Sequence, residues 1–194
     1  MSKKNQLTTT TYLEWSKAMS LLMKLEKDKE YKMLLFCASG FFFGLRASDL
    51  LSISWDTILY KDEFELNEQK TKKHRKIRIS ADMQKIIIKA YKSIAPVSKS
   101  ELIFINKYGA KAISIQYVNK KLKQIAKKYN LKNLTSSHTL RKTFGRKVYS
   151  IHENEHSLVL LSELFSHRCI ATTKRYLGLR EEQLLNVYDD LSMF

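Results

Sequence analysis

The chain has 194 residues, two cysteines and a net charge of +16, from 35 Lys and Arg against 19 Asp and Glu. This length suits one domain with its own core, and two cysteines are too few for a disulfide framework. The longest apolar run, Met33 to Leu45, is shorter than the roughly 20 residues that a membrane-spanning helix needs. With no secretory leader after Met1, we expect a cytoplasmic protein that does not contact membranes.

The positive charge is spread along the chain, with a sequence pI near 9.7. A distributed basic surface suits a polyanionic partner, because each neutralised phosphate releases condensed counterions. The alternative is an ordinary lysine-rich protein. Charge alone does not distinguish among DNA, RNA and an acidic membrane.

The first elements are predicted to be helices. Thr11-x-x-Glu14 is a capping-box pattern that predicts a helix start. The apolar side of that helix comprises Trp15, Ala18, Leu22 and Leu25. A second, uniformly apolar helix should end near Gly44. Ser48 or Asp49 is expected to cap a short third helix, which leaves Arg46 on a tight turn.

The middle of the chain changes period. Alternating apolar residues between Ile58 and Ile79 predict a small antiparallel hairpin, with residues 70–76 around its tip. Ser80 should cap a helix through Ile94 that ends before Pro96, and residues 102–105 favour one more short strand. Only five glycines and one proline occur, so we expect no flexible linker.

The remaining chain is predicted to be helical. A helix with an apolar side and a lysine-rich face should cover the region of Ile115 to Ala126; that face is either solvated or lies along a phosphate backbone. Further helices are expected at 138–149, 158–165, 170–177 and 181–191. The predicted fold class is therefore mainly α (α+β), a helical domain with a small antiparallel hairpin.

Several polar residues suit phosphodiester chemistry without a metal. Two guanidinium groups can bind the non-bridging oxygens of a phosphate while staying protonated. An acid must protonate the leaving oxygen, a base must deprotonate the attacking hydroxyl, and a nucleophile must persist as an ester. Arg46 and Arg141 can bind the phosphate. A histidine or lysine can act as acid or base, and Tyr176 can act as the nucleophile.

The same residues resemble the signatures of tyrosine recombinases, the phage integrase family. The first is Phe-Gly-Leu-Arg-Ala-Ser-Asp-Leu-Leu at 43–51, and the second is His138-x-x-Arg141. The third is Phe165-Ser166-His167 followed by Tyr176, although the family usually has Leu-Gly before this histidine. Gln-Lys-Thr at 69–71 resembles the segment that carries the family's hairpin lysine.

The resemblance implies a fold like that of DNA breaking-rejoining enzymes and a mechanism that needs neither ATP nor a metal or other cofactor. Tyr176 would form a 3′-phosphotyrosine, while Arg46 and Arg141 bind the phosphate. The other implied residues are Lys70 as acid for the 5′ oxygen, His138 as acid/base near the tyrosine, His167 as a phosphate donor, and Asp49 as a support for Arg46 or His138. Lys72, Lys73 and Lys76 remain alternatives to Lys70.

The resemblance also implies an organisation and partners. Residues 1–194 are expected to form a single catalytic domain, without the N-terminal core-binding domain of many recombinases. The expected partner is double-stranded DNA, bound by a homotetramer on paired sites, with a monomer possible without DNA. The apolar residues of the last helix would dock on a neighbour or on the chain's own core: Leu184, Leu185, Val187, Leu191 and Phe194.

Other functions remain open. His152-Glu153-x-x-His156 matches the zinc-protease pattern, in which both histidines bind zinc from one helix and the glutamate is the general base. A DNA-binding module that keeps the recombinase fold with little activity alone is a second alternative. A type IB topoisomerase shares the tyrosine chemistry, and differs from a recombinase in not assembling on two duplexes.

Overall fold

Helices dominate the structure, a computed structural model that describes residues 11–106, 108–109, 111–152 and 154–179. The helices are α1 (Trp15–Lys27), α2 (Tyr31–Phe43), α3 (Ala47–Leu51), α4 (Trp55–Ile58), α5 (Ala81–Ile94), α6 (Ile115–Lys128), α7 (Ser137–His152), α8 (Glu155–Leu164) and α9 (Ile170–Leu177). Two strands, β1 (Glu63–Asn67) and β2 (His74–Arg78), pair antiparallel. The predicted mainly α fold with one hairpin is confirmed.

The apolar helix α2 lies at the centre of the main core, where it packs against α1, α5 and α7. It ends at Gly44, which adopts a left-handed conformation with φ of 58°. A Cβ atom on Gly44 would lie 2.3 Å from Cδ1 of Phe144. Only glycine fits this turn, which brings the α2–α3 junction close to α7. Within the described residues, no helix is long and apolar enough to cross a bilayer.

The hairpin rests on this core through one face. Phe64 of β1 is paired with Ile77 of β2, and both side chains are buried. The Phe64 ring also meets the edge of the Phe43 ring, with 5.1 Å between ring centroids. These contacts fix the register, so residues 68–73 form the tip and project beside the end of α2. Residues 74–76, which we expected near the tip, belong to β2.

Three local predictions are wrong. The capping box does not form, because α1 begins at Trp15 and the Thr11 hydroxyl donates instead to the Asn133 carbonyl. Neither Ser48 nor Asp49 caps α3, whose N-cap position is Arg46. Residues 102–105 form two isolated bridges rather than a strand, since their partners are the single residues Ser54 and Ala112.

Side-chain hydrogen bonds set the starts of α5 and α7. The Ser80 hydroxyl accepts a hydrogen bond from the Met83 N–H and opens α5, as expected. The first helical N–H of α7, that of Ser137, donates to the Asn119 side chain on α6. An amide from a neighbouring helix thus sets the start of the helix that carries His138 and Arg141.

A second, smaller core holds the end of the described chain. Helices α7, α8 and α9 enclose Leu158, Leu161, Phe165, Leu177 and Leu179, and Tyr176 packs against this cluster. The predictions of helices over 158–165 and 170–177 are confirmed, although α8 begins earlier, at Glu155. The helix predicted at 181–191, with its apolar docking residues, lies outside the described residues.

Candidate active site

Two arginines from distant parts of the sequence meet at one carbonyl oxygen. Arg46, at the N-cap of α3, donates from Nη2 to the Phe165 carbonyl at 2.9 Å. Arg141, on α7, donates from its own Nη2 to the same oxygen at 3.2 Å. The turn after α8 therefore sets the spacing of the two guanidinium groups.

Arg141 is held in a fixed orientation. Its Nη1 donates to the Gly44 carbonyl at 2.8 Å, and its guanidinium lies over the Phe165 ring, 4.4 Å from the centroid. Only 4% of the residue is exposed. Burial lowers the pKa of Arg141 to about 10, which still leaves the group charged at neutral pH. A preorganised cation of this kind suits a developing phosphate charge.

The turn after α8 is a Schellman motif. The His167 N–H donates to the Ser162 carbonyl and the Ser166 N–H to the Glu163 carbonyl. This motif requires one residue in the left-handed conformation, which is usually glycine. Here that residue is Ser166, with φ of 54°. A non-glycine residue in this conformation costs about 1 kcal/mol. Phe165-Ser166 therefore forms the same type of turn that the usual Leu-Gly would form, and His167 directly follows it.

His167 is half-buried beside the candidate nucleophile. Its Nδ1 lies 2.9 Å from Oγ1 of Thr173, and its ring centroid lies 5.3 Å from that of Tyr176. Desolvation, followed by the charges of Arg141 and Arg46, lowers the pKa of His167 to about 4. At neutral pH the ring is therefore neutral when no phosphate is present.

Tyr176 lies on α9 with its hydroxyl buried and without a hydrogen-bond partner among the described residues. Its ring packs edge-on against Phe165, and the Lys142 ammonium lies 5.2 Å from the ring centroid. Burial raises the pKa of Tyr176, while the charges of Arg141 and Arg46 oppose the rise. Tyr176 is therefore a protonated phenol that needs a base before it can attack.

His138 is the second residue of α7 and its side chain is exposed, available to a ligand. Its pKa is lowered, first by partial desolvation and then by four nearby positive charges: Arg141, Lys142, Arg46 and Lys70. A neutral imidazole at neutral pH can accept a proton. The influence of Lys70 also places the hairpin tip near His138.

The hairpin lysines differ in their surroundings. Lys70 and Lys72 are both exposed at the tip, and Lys72 adopts a left-handed conformation with φ of 58°. Lys76 points away from the site, because it forms an ion pair with Glu63 on the neighbouring strand. Within the described part of the chain, neither Lys70, Lys72 nor Lys73 forms an ion pair. Of the three alternatives to Lys70 as the general acid, the structure therefore argues against only one, Lys76.

Asp49 does not contact the residues that we expected it to orient. Its side chain is 1% exposed, and Oδ1 accepts a hydrogen bond from the Gln69 N–H at 2.8 Å. No hydrogen bond or ion pair joins it to Arg46 or His138 within the described residues. Asp49 instead holds the hairpin backbone directly beside Lys70, because α3 and the tip pack against each other.

Sequence reasoning missed Glu68, the carboxylate that does contact Arg46. Its Oε2 accepts from Nη1 of Arg46 at 2.6 Å, from the Thr71 hydroxyl at 2.5 Å and from the Ser166 hydroxyl at 3.1 Å. Glu68 is 1% exposed, and Nη1 of Arg75 lies 3.7 Å from Oε1. The available signal was its position directly after a strand and two residues before Lys70.

The zinc-protease pattern is divided between two helices. His152 is the last residue of α7 and His156 the second residue of α8, so the histidines do not share one helical face. Glu153 lies outside the described residues, and those that are described contain no group of three or more His, Cys, Asp or Glu that could hold a metal ion. The single helix that this alternative requires does not form.

The low pKa of His167 predicts how stability responds to acid. Its folded pKa of about 4 lies below the usual 6.5, so the unfolded chain binds the proton more readily between those values. The free energy of unfolding should therefore fall as pH drops from 6.5 towards 4, by about 1–2 kcal/mol from this group, because solvent screens a half-buried ring. Denaturant titrations at pH 7 and pH 5 measure this difference in the free energy of unfolding. In His167→Gln this part of the pH dependence should vanish, and an unchanged slope would contradict the assignment.

Known proteins share both the sequence and the fold. A probable integrase/recombinase of Bacillus subtilis (strain 168), YoeC, is 30% identical over 176 residues, covering 86% of this chain and 93% of that protein. The tyrosine recombinase XerD of Staphylococcus aureus is 26% identical over 150 residues, covering 75% of this chain. The XerH site-specific recombinase, solved bound to its difH substrate after cleavage, has a TM-score of 0.70 at 20% identity. That match covers 95% of this chain and 55% of XerH.

The chain spans half the length of XerD, so its likeness to that protein concerns one part of it. The model of the phage integrase family matches residues 11–183, a span that contains both arginines, the hairpin, His138, His167 and Tyr176. The chain belongs to the phage integrase family, the tyrosine recombinases.

Proposed function

We propose that this chain cleaves and rejoins DNA at a specific site through a 3′-phosphotyrosine intermediate. The observation that carries the proposal is the position of the Tyr176 hydroxyl, buried near Arg141, which shares the Phe165 carbonyl with Arg46. A phosphate that replaced this carbonyl contact would meet two guanidinium groups and a phenol together.

Each step of the proposed reaction uses groups of this site. Tyr176 Oη attacks the scissile phosphorus and passes its proton to His138, while the bond from phosphorus to the 5′ oxygen breaks. Lys70 protonates that oxygen, and Arg46, Arg141 and His167 bind the phosphate oxygens. A 5′ hydroxyl from the partner strand then attacks the phosphotyrosine, with the proton transfers reversed.

His167 would gain a proton when phosphate binds. The ring is neutral in the free chain because desolvation and two arginines lower its pKa. A phosphate dianion or diester beside it supplies the opposite charge that raises such a pKa. Among the hairpin lysines we favour Lys70, because it is close enough to lower the pKa of His138.

The proposed partner is double-stranded DNA, and the proposed assembly is a homotetramer on paired sites. Related structures support a DNA partner, since the Tn1549 transposon integrase was solved in complex with circular intermediate DNA and XerH was solved bound to its difH substrate. The residues in this chain would correspond to a recombinase catalytic domain. A topoisomerase would relax supercoils without joining two duplexes. Assembly on paired sites therefore distinguishes a recombinase from a topoisomerase.

A suicide-substrate assay on a random duplex library tests the function and finds the site together. Nicked duplexes that lose a short fragment after cleavage should trap the chain covalently on the 3′ side, and sequencing the trapped DNA should reveal a common motif. A chain that binds duplexes but traps none would instead be a DNA-binding module with the recombinase fold.

DNA affinity should depend steeply on salt. The lysine-rich face of α6 is exposed, and each lysine that neutralises a phosphate releases counterions. We expect affinity to fall by about 100-fold or more between 50 and 200 mM salt. Lys123→Gln should reduce the slope of log affinity against log salt by about 1. Lys85→Gln, on α5 and paired with Asp82, is the matched control. A flat salt response would contradict phosphate neutralisation.

A further inference from the structure

Glu68 is the point at which three parts of the candidate site are joined. A single oxygen, Oε2, accepts hydrogen bonds from Arg46, from Thr71 at the hairpin tip and from Ser166 in the turn before His167. These donors lie on separate segments of the chain. The side chain is buried, so water does not compete for this oxygen.

The contacts orient Arg46 directly, and they hold the neighbours of Lys70 and His167. Arg46 uses Nη1 for Glu68 and Nη2 for the Phe165 carbonyl, which orients the plane of its guanidinium. Thr71 is adjacent to Lys70, and Ser166 is adjacent to His167. Fixing Thr71 and Ser166 at one oxygen therefore limits how far the Lys70 and His167 backbones can move apart.

Charge supports the same arrangement. Arg75 lies on the other side of the carboxylate and donates from Nη2 to the Phe43 carbonyl, at the end of the helix that precedes Arg46. The Glu68 pKa is lowered, since hydrogen bonds from Thr71 and Arg46 outweigh the raising effect of desolvation, the largest single influence. The side chain is therefore an anion between two cations at neutral pH.

We propose that Glu68 is a positioning residue for strand cleavage, which aligns Arg46, Lys70 and His167 by joining the segments that carry them. The inference rests on the proposed function and deepens it. The proposal gives Glu68 no contact with the reacting atoms, because Oε2 of its buried carboxylate is already bound by Arg46, Thr71 and Ser166. Ser166 acts through Glu68: the serine occupies a position that favours glycine, and its hydroxyl makes the third hydrogen bond.

Glu68→Gln removes the charge and keeps the size of the side chain. We expect the single-turnover cleavage rate on saturating suicide substrate to fall by about 10- to 100-fold, because small misalignments cost that much in rate. DNA affinity should stay close to that of the unchanged chain, since Glu68 does not face solvent. The matched control is Glu65→Gln, on the exposed face of the same hairpin, which should cleave normally.

Two further variants keep the test decisive if Glu68→Gln fails to fold. Thr71→Val and Ser166→Ala each remove one donor without burying an unpaired charge, and each should slow cleavage several-fold with little change in affinity. The effects of Thr71→Val and Ser166→Ala should combine less than additively in the double variant, because both act through one oxygen. A purely structural role would predict lower stability in each variant, with a normal cleavage rate in the folded fraction.

The outcomes separate this inference from the proposed function. If the unchanged chain forms an adduct that depends on Tyr176, and all three variants cleave at the normal rate, the role of Glu68 is overturned and the proposed function stands. If the unchanged chain forms no such adduct on any duplex, the proposed function fails and the role of Glu68 with it. A slower rate at unchanged affinity, with non-additive double variants, upholds both.

Discussion

Tyr176→Phe is expected to abolish the covalent DNA adduct while leaving DNA affinity unchanged. The substitution removes only the oxygen that would form the ester bond. Because that hydroxyl is buried and has no hydrogen-bond partner within the described residues, its removal should leave stability unchanged or slightly raise it. Denaturing gels of the chain with a nicked suicide substrate measure the adduct.

The control for this variant is Tyr149→Phe. Tyr149 packs against the same small core and is likewise half-buried, but the proposed mechanism gives it no role. It should form the adduct normally. An adduct that persists in Tyr176→Phe would mean that another residue is the nucleophile.

Arg141→Lys is expected to lower the cleavage rate by about 100- to 1000-fold, or about 3–4 kcal/mol of transition-state stabilisation. The guanidinium contacts the Gly44 and Phe165 carbonyls at once while stacking on the Phe165 ring. A lysine ammonium is a single point charge without the planar fork, so it cannot keep these contacts and also present two donors to a phosphate. Single-turnover cleavage on saturating substrate measures the loss.

The same change also leaves a buried carbonyl without a donor, at a cost of about 1–3 kcal/mol in stability. Cleavage should therefore be measured well below the unfolding temperature of the variant, with the folded fraction determined by circular dichroism. Arg78→Lys, at an exposed arginine of β2, is the matched control and should cleave normally. A near-normal rate in Arg141→Lys would remove Arg141 from the phosphate site.

Helix and strand predictions succeeded where the apolar pattern was long. The apolar run of α2 is buried as a central helix, as its composition predicted. The alternating apolar residues of the hairpin are buried on one face of two paired strands, as their two-residue period predicted. Capping predictions were less successful. Thr11 has the right spacing for a capping box, but its hydroxyl is taken by the Asn133 carbonyl, 122 positions away in the sequence.

The candidate site was predictable in its residue types but not in its connections. Five site residues were identified from signatures: Arg46, His138, Arg141, His167 and Tyr176. The structure brings Arg46, Arg141, His167 and Tyr176 together around the turn after α8, and it places His138 on the same helix as Arg141. Asp49 was expected to orient Arg46, yet Glu68 has that contact. The expectation for Asp49 came from the family resemblance, whereas packing of α3 on the hairpin directs its carboxylate to the Gln69 N–H.

The sequence by itself determined the helical fold, the hairpin and the set of groups suited to phosphoryl transfer, because periodicity and side-chain chemistry are local properties. Only the tertiary structure decided which donor meets which acceptor. The Phe165 carbonyl receives both arginines, and the Glu68 carboxylate receives three donors, because chain segments far apart in sequence pack into the same place. Such contacts depend on the ångström-level placement of helix ends and turns, which no pattern of residue types specifies.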